Sequence, residues 1–223
     1  MEARKFSTNT SGLDPDLFTG RANFVGCDLS ALTGRYAQGI GKRWGINNSL
    51  HFCNKPAIDF VKDLEDYPGS IPLILVQFPT PFRFSNQDEV GNTQLPTGLT
   101  DGFMVSPELL KRIHRILKQS GGCLLFQSNV EDVAVRVKKV ALEMGFIALE
   151  MSYPVTEESS NVQSADTARI PQRTQQWILT GGERAQGSSW SKESLLPRRG
   201  ATETEISCLV AGTPVHRFVL KAT

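Results

Sequence analysis

The feature that most constrains the fold of this chain is the apolar run Ile71–Val76, which is followed closely by two prolines. A run of strand-forming residues without polar alternation is typical of a strand covered on both faces, as in a parallel sheet. Pro79 and Pro81 stiffen the exit from this strand and favour extended geometry at Phe78 and Thr80. Because open α/β sheets bind ligands at the carboxyl ends of their strands, the run predicts a central strand with Thr80 at a candidate site. The alternative is an exit loop stiffened by proline without further function.

Other segments alternate between strand and helix patterns along the chain. Leu32, Tyr36, Ile40 and Trp44 recur every four residues and predict one buried helical stripe, with Ser30 as its cap. A second helix is predicted to begin at Ser106-Pro107-Glu108 and to end at Gly121-Gly122. Further strands are predicted at 23–29, 50–53, 123–127 and 146–151, further helices at 57–64 and from 128 to Gly145, and an antiparallel pair of edge strands at 176–180 and 214–221.

This alternation predicts an α/β fold with a mostly parallel twisted sheet, helices on both faces and an antiparallel C-terminal edge strand. Residues 1–20 are polar and predict a degenerate N-terminal segment, so that a single domain covers 21–223. The stretches 157–172 and 181–201 are rich in polar residues and predict loops. The polar stretch 85–102 is longer than an ordinary connection and predicts a functional or mobile loop.

Composition excludes several classes of function. The formal charge is +1 and the pI is about 7.7, so any binding to nucleic acid must come from local patches. The four cysteines are isolated and predict free thiols in a reducing compartment, and neither they nor the three histidines have the spacing of metal ligands. No apolar run reaches the length of a membrane span. We therefore expect a soluble intracellular protein without metal or membrane partners, with cytoplasm, nucleus and plastid left open.

Four segments together resemble the tRNA (guanine-N7)-methyltransferase family, and most closely its plant members. They are Asn-Phe-Val-Gly-Cys-Asp at 23–28, the strand with Phe-Pro-Thr-Pro-Phe at 71–82, Gly-Gly-Cys-Leu-Leu-Phe-Gln-Ser-Asn at 121–129, and Thr-Glu-Thr-Glu at 202–205. The resemblance implies a Rossmann-like methyltransferase fold with a reversed final strand. It also implies S-adenosyl-L-methionine as cofactor and tRNA as substrate, with a non-catalytic partner subunit as an open possibility.

The resemblance further implies roles for individual residues around the cofactor. Asp28 ends a strand where similar enzymes grip the ribose hydroxyls, since a carboxylate accepts two hydrogen bonds at once. The alternative for Asp28 is an acid that starts a helix. Asn54 or Lys55 falls near the expected position of the adenine, and Gln77 and Phe78 would line the same wall.

The residues assigned to catalysis and to tRNA also come from the resemblance. Thr80 occupies the place of the family's Asp in its Phe-Pro-Asp-Pro motif and is the candidate catalytic residue. Arg83, Asn129, Thr202 and Glu205 are candidates for binding the tRNA. The alternatives are a helix N-cap for Asn129 and a capping pair for Thr202 and Glu205.

Three departures from the family weaken the resemblance. The strand before residue 23 and its Gly-rich loop look absent, with only Ser11-Gly12 as a remnant, so the N-terminus looks shortened. In this fold that strand lies between those ending at Asp28 and Gln77, and its loss would leave two strand edges unpaired. Thr80 lacks the charge of the family's Asp, and Arg83 stands alone where the family has a basic run. Arg198-Arg199 and the helix face with Lys111, Arg112 and Arg115 are the remaining basic candidates.

Two classes of function follow from these observations. The first is methyl transfer from S-adenosyl-L-methionine to N7 of guanine in tRNA. The second is a methyltransferase-fold protein with little or no catalysis that acts in RNA binding or protein interaction, or a truncated isoform of a longer enzyme. The missing loop, Thr80 and Asn129 favour the second. A nicotinamide-dependent oxidoreductase is disfavoured because no Gly-x-Gly-x-x-Gly follows any predicted strand.

Overall fold

The structure, a computed structural model, describes residues 22–79, 104–151, 172–191, 193–196 and 201–223. They divide into two compact units, a first unit within Pro15–Ser70 and a second unit within Ile71–Thr223. The segment predicted at 1–20, the loop at 85–102 and nearly all of the loop at 157–172 lie outside the described residues. The single domain over 21–223 stays a prediction.

The first unit is a strand-helix repeat. Its elements are β1 (Phe24–Asp28), α1 (Ala31–Arg43), β2 (Leu50–Asn54) and α2 (Ala57–Glu65). The two strands pair in parallel, and Asp28 at the end of β1 is the register partner of Asn54 at the end of β2. The predicted strands, helices and parallel pairing are confirmed here, although both strands are more exposed than the sequence pattern indicates.

The buried face of α1 differs from the prediction. Ser30 caps the helix as predicted, because its hydroxyl accepts a hydrogen bond from the Thr33 N–H. The buried residues, however, are Gly34 and Gly41, whereas Leu32, Tyr36 and Trp44 of the apolar stripe are exposed and its Ile40 is part-buried. A Cβ added at Gly41 would lie 3.1 Å from Cδ2 of Leu50. Gly41 therefore lets the helix approach β2 closely, and Leu32, Tyr36 and Trp44 face outward.

The described residues of the second unit form a mixed four-stranded sheet with four helices. Its elements are β3 (Leu73–Gln77), α3 (Pro107–Ser120), β4 (Cys123–Ser128), α4 (Glu131–Glu143), β5 (Phe146–Ala148), α5 (Gln172–Leu179), α6 (Glu203–Ala211) and β6 (His216–Ala222). The strand order is β3-β4-β6-β5, in which β3 and β4 are parallel and β6 is antiparallel to both β4 and β5. The predicted α/β, Rossmann-like class and its reversed final strand are confirmed.

Two details of the C-terminal prediction need correction. The strand predicted at 176–180 is wrong, because this stretch lies in and directly after the helix α5. The final strand β6 is not at the edge of the sheet, since it pairs with β4 on one side and with β5 on the other. Its fully buried residues Phe218, Val219 and Leu220 show why the interior position is favoured, because both faces of this strand are apolar enough to be covered.

The central strand of this sheet is β4 and not β3. All six residues of β4 are buried, and Phe126 stacks on Phe218 of β6 at 5.0 Å between ring centroids. Leu75 of β3 is 41% exposed, although its register partner Leu125 is fully buried. Within the described residues β3 pairs only with β4, and β1 pairs only with β2. Each of these two strands therefore has one unpaired edge within the described residues.

The boundaries of α3 follow its sequence signals. The Ser106 hydroxyl accepts a hydrogen bond from the Leu109 N–H at 3.2 Å, and Pro107 stands in the first turn. Gly121 ends the helix in the left-handed conformation, with φ at 62°. This glycine is needed because other residues adopt that conformation only at a cost.

The segment predicted as a loop at 181–201 packs against the sheet where it is described. The Lys138 ammonium of α4 donates to the Ser189 hydroxyl at 2.6 Å and lies 4.2 Å from the centroid of Trp190. Ser191 forms an isolated bridge to Arg217 of β6. Burial lowers the pKa of Lys138 to about 8. These contacts therefore fix the position of a segment that has no regular secondary structure.

The sequence predicted free cysteines, no metal ligands and no membrane span, and the described residues bear on each of these predictions. All four cysteines lie there and are free, and burial raises the pKa of Cys27 to about 11, with smaller contributions from Cys53 and Asp28. In the described ranges, no group of three or more His, Cys, Asp or Glu side chains is arranged to hold a metal ion. None of the helices described is long and apolar enough to cross a membrane.

Because β4 is more deeply buried than β3, we predict that the same leucine-to-alanine substitution lowers the free energy of unfolding by different amounts in the two strands. Leu125→Ala removes a fully buried side chain from the central strand, and we expect it to lower the free energy of unfolding by about 2–5 kcal/mol. Leu75→Ala is the matched control in the register partner, and its cost should be smaller because the side chain is already part-exposed. Urea denaturation followed by circular dichroism measures both. Equal losses would show that β3 is covered on both faces.

Candidate functional site

The strand ends of the first unit bring together two of the predicted cofactor residues. Asp28 Oδ1 accepts a hydrogen bond from the Ser30 N–H at 2.7 Å. The side-chain amide of Asn54 donates to the carbonyl oxygens of Asp28 and Leu29 at 2.8 and 2.6 Å. Asn54 therefore fixes the turn between β1 and α1, and Asp28 is exposed at its tip.

The carboxylate of Asp28 can still accept hydrogen bonds from the hydroxyls of a ribose. Its Oδ1 is engaged at the start of α1, which confirms the alternative of a helix-start acid. Its second carboxylate oxygen accepts no hydrogen bond from the part of the chain that the structure describes. Because one carboxylate can accept several hydrogen bonds, capping of the helix and binding of a ligand hydroxyl are compatible.

Lys55 has a different partner. Its ammonium forms an ion pair with Asp63 of α2, and this hydrogen bond raises the pKa of Lys55. Between the two residues left open by the sequence, Asn54 is therefore the one that is tied to Asp28. Lys55 connects the end of β2 to the following helix.

The strand ends of the second unit place Gln77 beside Gln127 and strain the next residue. The two glutamines are register partners in β3 and β4, and the Phe78 N–H donates to the Gln127 carbonyl at 2.8 Å. Phe78 has φ at 48°, a conformation that residues other than glycine rarely adopt. Such strain persists only where the surroundings enforce it, and it is concentrated at functional sites. Thr80 and Arg83 lie outside the described residues.

A buried polar network continues from this point into α6 and β6. The Gln127 amide donates to Oε1 of Gln77 at 2.9 Å and to Oε2 of Glu205 at 3.3 Å. Arg217 donates from Nε and Nη2 to Oε1 of Glu205 at 3.2 and 2.9 Å. Gln127, Glu205 and Arg217 are all buried. The network joins segments that are up to 140 residues apart in the chain.

Thr202 and Glu205 form the capping box that the alternative reading of these residues predicted. The Thr202 hydroxyl accepts from the Glu205 N–H, and Glu205 Oε2 accepts from the Thr202 N–H, both at 3.1 Å. The carboxylate of Glu205 is thus shared among the helix N-terminus, Gln127 and Arg217. Thr202 is half-buried and remains the more accessible of the pair.

The surroundings of Glu205 keep it ionised. Burial by itself raises the pKa of this carboxyl group. The hydrogen bonds from Thr202, Arg217, Ser194 and Gln127 outweigh that effect, and they hold the pKa below its ordinary value of 4.5. A permanent negative charge therefore sits under the N-terminus of α6, where the helix dipole also favours it.

Asn129 is not a helix cap. Val130 is the N-cap residue of α4 and makes no side-chain cap bond, while the Ser128 hydroxyl accepts from the Val130 N–H at 3.1 Å. The capping alternative for Asn129 is therefore wrong. Its half-buried side chain makes no hydrogen bond with the residues described, so the amide is available for a ligand at the end of β4.

Sequence reasoning missed Gln127, Arg217, His216 and Glu131. Glu131 is buried and accepts hydrogen bonds from Arg184 Nε at 2.9 Å and from the Ala185 N–H at 2.8 Å. Burial lowers the pKa of His216, and the nearby Glu131 opposes this shift. The available signal was a single polar side chain within an apolar strand, as Gln127 in Leu-Leu-Phe-Gln and Arg217 before Phe-Val-Leu.

The other basic candidates for binding tRNA differ in their exposure and in their contacts. Lys111 and Arg115 are exposed on α3. Arg112 forms an ion pair with Glu108 at 2.8 Å. Arg198 and Arg199 lie outside the described residues.

Comparisons with known proteins find similarity in solved structures alone. No family model matches the chain, and no curated protein matches it. The [4+2]-cyclase SpnF is 10% identical with a TM-score of 0.41, and the alignment covers 90% of this chain and 66% of that one. The StiE O-MT is 15% identical with a TM-score of 0.38, covering 89% and 57%. Geranyl diphosphate C-methyltransferase from Streptomyces coelicolor A3(2), solved with S-adenosyl-L-homocysteine, is 10% identical with a TM-score of 0.35, covering 89% and 61%.

This chain therefore spans less than two thirds of the length of each of these proteins. With TM-scores below 0.5, the function of the chain has to be argued from its own residues.

The buried network predicts a pH-dependent contribution to stability. Glu205→Gln leaves Arg217 without its counter-charge, and we expect the free energy of unfolding at pH 7 to fall by about 3–5 kcal/mol. Because the pKa of Glu205 is lowered on folding, the wild type loses this contribution as the pH falls below about 4.5. The difference between wild type and variant should therefore shrink below that pH. Urea denaturation at several pH values measures it.

The control is Glu108→Gln, which removes the acid of an ion pair whose Glu108 side chain is more than half exposed. We expect a loss below about 1 kcal/mol, since exposed ion pairs contribute little. A Glu205→Gln variant as stable as the Glu108→Gln control would contradict the buried network.

Proposed function

We propose that this chain is a tRNA (guanine-N7)-methyltransferase, which transfers a methyl group from S-adenosyl-L-methionine to N7 of guanine in tRNA. One observation carries the proposal. Three separate segments that resemble the family meet in one hydrogen-bond network, through Gln77, Gln127 and Glu205. Convergence of distant segments at parallel strand ends is the arrangement that a ligand site in this fold class requires.

The cofactor would supply an electrophilic methyl group. Asp28 would accept hydrogen bonds from its ribose hydroxyls, and Asn54 would hold the turn that presents Asp28. Both assignments agree with the geometry at the ends of β1 and β2, where Asn54 donates to the Asp28 carbonyl at 2.8 Å. The resemblance assigns Gln77 and Phe78 to the same function, and the strained backbone of Phe78 supports a functional role for this loop.

The substrate would be held by the network around α6. Guanine N7 carries a lone pair and needs no base, so the transfer rests mainly on alignment and proximity. Glu205 is committed to Arg217 and to the helix N-terminus, so we assign it to positioning Thr202. Asn129 and Thr202 would then contact the nucleotide. Thr80 would stand beside the reacting centre, with Arg83 on the tRNA backbone.

A second candidate is a methyltransferase-fold protein that binds RNA or another protein without efficient catalysis. Thr80 favours this candidate because it offers no charge at the position of the family's Asp. The departure at the N-terminus also favours it, since the sequence has only Ser11-Gly12 where the family has its Gly-rich loop. For either candidate we propose a soluble intracellular protein; for the first candidate its substrate is tRNA, with or without a partner subunit.

Two measurements separate the candidates. The purified chain is titrated with S-adenosyl-L-methionine by calorimetry, and transfer of a labelled methyl group to an unmodified tRNA transcript is then followed. Binding with turnover at N7 supports the methyltransferase. Binding without turnover supports the non-catalytic protein, and absence of both removes the first proposal.

Asp28→Asn tests the cofactor site. The amide oxygen still accepts from the Ser30 N–H, so α1 should begin as before. We expect the affinity for S-adenosyl-L-methionine to fall about 10-fold or more, because hydrogen bonds to a charged group contribute about 1.5–3 kcal/mol. Calorimetry measures it, with Asp66→Asn after α2 as the control. Equal affinities for both variants would remove Asp28 from the site.

Thr80→Asp tests the catalytic position. If a carboxylate at this place orients guanine and stabilises the cationic product, the variant should transfer methyl groups about 10²–10³ times faster. Thr33→Asp in α1 is the control, and it should change the methylation rate little. A slow wild type that gains nothing from Thr80→Asp would show that position 80 does not act on the reacting base.

A further inference from the structure

The outer face of α1 is apolar and aromatic, although the helix lies on the surface. Leu32, Tyr36 and Trp44 are each 69% exposed. Helical spacing places Leu32, Arg35, Tyr36 and Arg43 on one side of the helix, with Trp44 directly after it. Below, we call these five residues the outer face of α1. The buried Gly34 and Gly41 lie on the other side, so this face is not the packing surface of the helix.

The stretch of the first unit between Asp28 and Asp59 carries positive charges only. No Asp or Glu occurs between Asp28 and Asp59, whereas Arg35, Lys42 and Arg43 are exposed on α1. None of these three side chains forms an ion pair with the residues described. The acids of the unit are concentrated on α2, where Asp59 and Asp63 pair with lysines. The outer face of α1 therefore offers positive charge that is not neutralised within the described part of the chain.

Exposed aromatic rings interleaved with guanidinium groups fit one ligand chemistry best. Unpaired nucleotides stack on aromatic side chains, and their phosphates attract arginine and lysine. Insertion into a membrane would need a broader apolar face. Within α1 the one exposed aliphatic side chain of any size is Leu32, while Leu29 and Ile46 are exposed just before and after the helix. A protein partner of opposite charge would not require two exposed rings.

We propose that the outer face of α1 binds unpaired nucleotides of RNA, a proposal that rests on the proposed tRNA substrate. Tyr36 and Trp44 are eight residues apart, about 12 Å along the helix axis, so they stack on different nucleotides. Arg35 and Arg43 bind the phosphates of the same strand.

The stacking contacts are tested by fluorescence anisotropy of a labelled unmodified tRNA transcript with the full chain. Trp44→Leu and Tyr36→Leu should each weaken binding at least about fivefold, since stacking of a base on an aromatic side chain contributes about 1–3 kcal/mol. Tyr67→Leu is the control, because Tyr67 is an exposed aromatic residue of the first unit outside this face. Circular dichroism checks that all variants keep the fold.

The charge contacts are tested by the salt dependence of the same binding. Arg35→Gln with Arg43→Gln should reduce the slope of log K against log salt by about 1.4, which corresponds to two phosphates of a single strand. Lys62→Gln with Lys139→Gln changes the net charge equally on α2 and α4, and it should leave the slope unchanged.

Several results would overturn this proposal. Wild-type binding of tRNA that is unaffected by Trp44→Leu and Tyr36→Leu would overturn it, as would no binding of tRNA at all. Trp44-dependent sedimentation with vesicles of phosphatidylserine and phosphatidylcholine would assign the face to a membrane. Self-association that Tyr36→Leu abolishes would assign it to a second copy of the chain.

The proposal and the proposed function fail in distinguishable ways. A wild type that binds tRNA through Tyr36 and Trp44 but transfers no methyl group keeps the RNA face and removes the methyltransferase. Methyl transfer that does not depend on these residues removes the face and keeps the methyltransferase.

Discussion

The charge pair between Glu205 and Arg217 organises the second unit. Both side chains are buried, and such a pair is tolerated only when its remaining hydrogen-bonding capacity is used. Gln127 and the N-terminus of α6 use the capacity of the carboxylate, and the Val215 carbonyl accepts from Nη1 of Arg217. The antiparallel β6, the central β4 and the helix α6 are thereby held in one arrangement. A shift of one residue in the β4–β6 register would move Arg217 to the opposite face of the sheet.

The position of this network connects stability with function. It lies at the end of β4, where Gln127, Ser128 and Asn129 follow one another. Glu205 fixes Thr202 by the capping box, and Gln127 reaches Gln77 beside the strained Phe78. The side chains of Gln77, Gln127 and Thr202 are thus oriented by hydrogen bonds before any ligand binds. Preorganisation of this kind lowers the cost of aligning a substrate.

The first unit is packed in a different way from the second. Its helix α1 approaches β2 at Gly41, and the larger residues on the other side of the helix remain at the surface. The cost is a helix weakened by three glycines. What this arrangement provides is a solvent-facing row of aromatic and basic side chains. Tyr36 and Trp44, which the sequence pattern placed on a buried stripe, thereby become candidates for RNA recognition.

The sequence by itself determined the elements whose signals are local. The Ser30 and Ser106 caps, the Gly121 end of α3 and the apolar strand β4 follow from short-range chemistry, and the structure has them as predicted. The resemblance of four segments implied the reversed final strand, although the sequence analysis placed that strand at the edge of the sheet and the structure places β6 between β4 and β5. The sequence did not reveal that 176–180 belongs to a helix end, because short apolar runs suit either conformation.

Only the tertiary structure decided which residues meet. Gln127 and Arg217 were inconspicuous in their strands, and their partner Glu205 became a buried anion only through the pairing of β4 with β6. Packing also decided which face of α1 is buried. An apolar stripe that recurs every four residues does not reveal whether a small residue on another face lets the helix approach the sheet more closely. Long-range contacts carry no local signal, because their energy exists only after distant segments have been brought together.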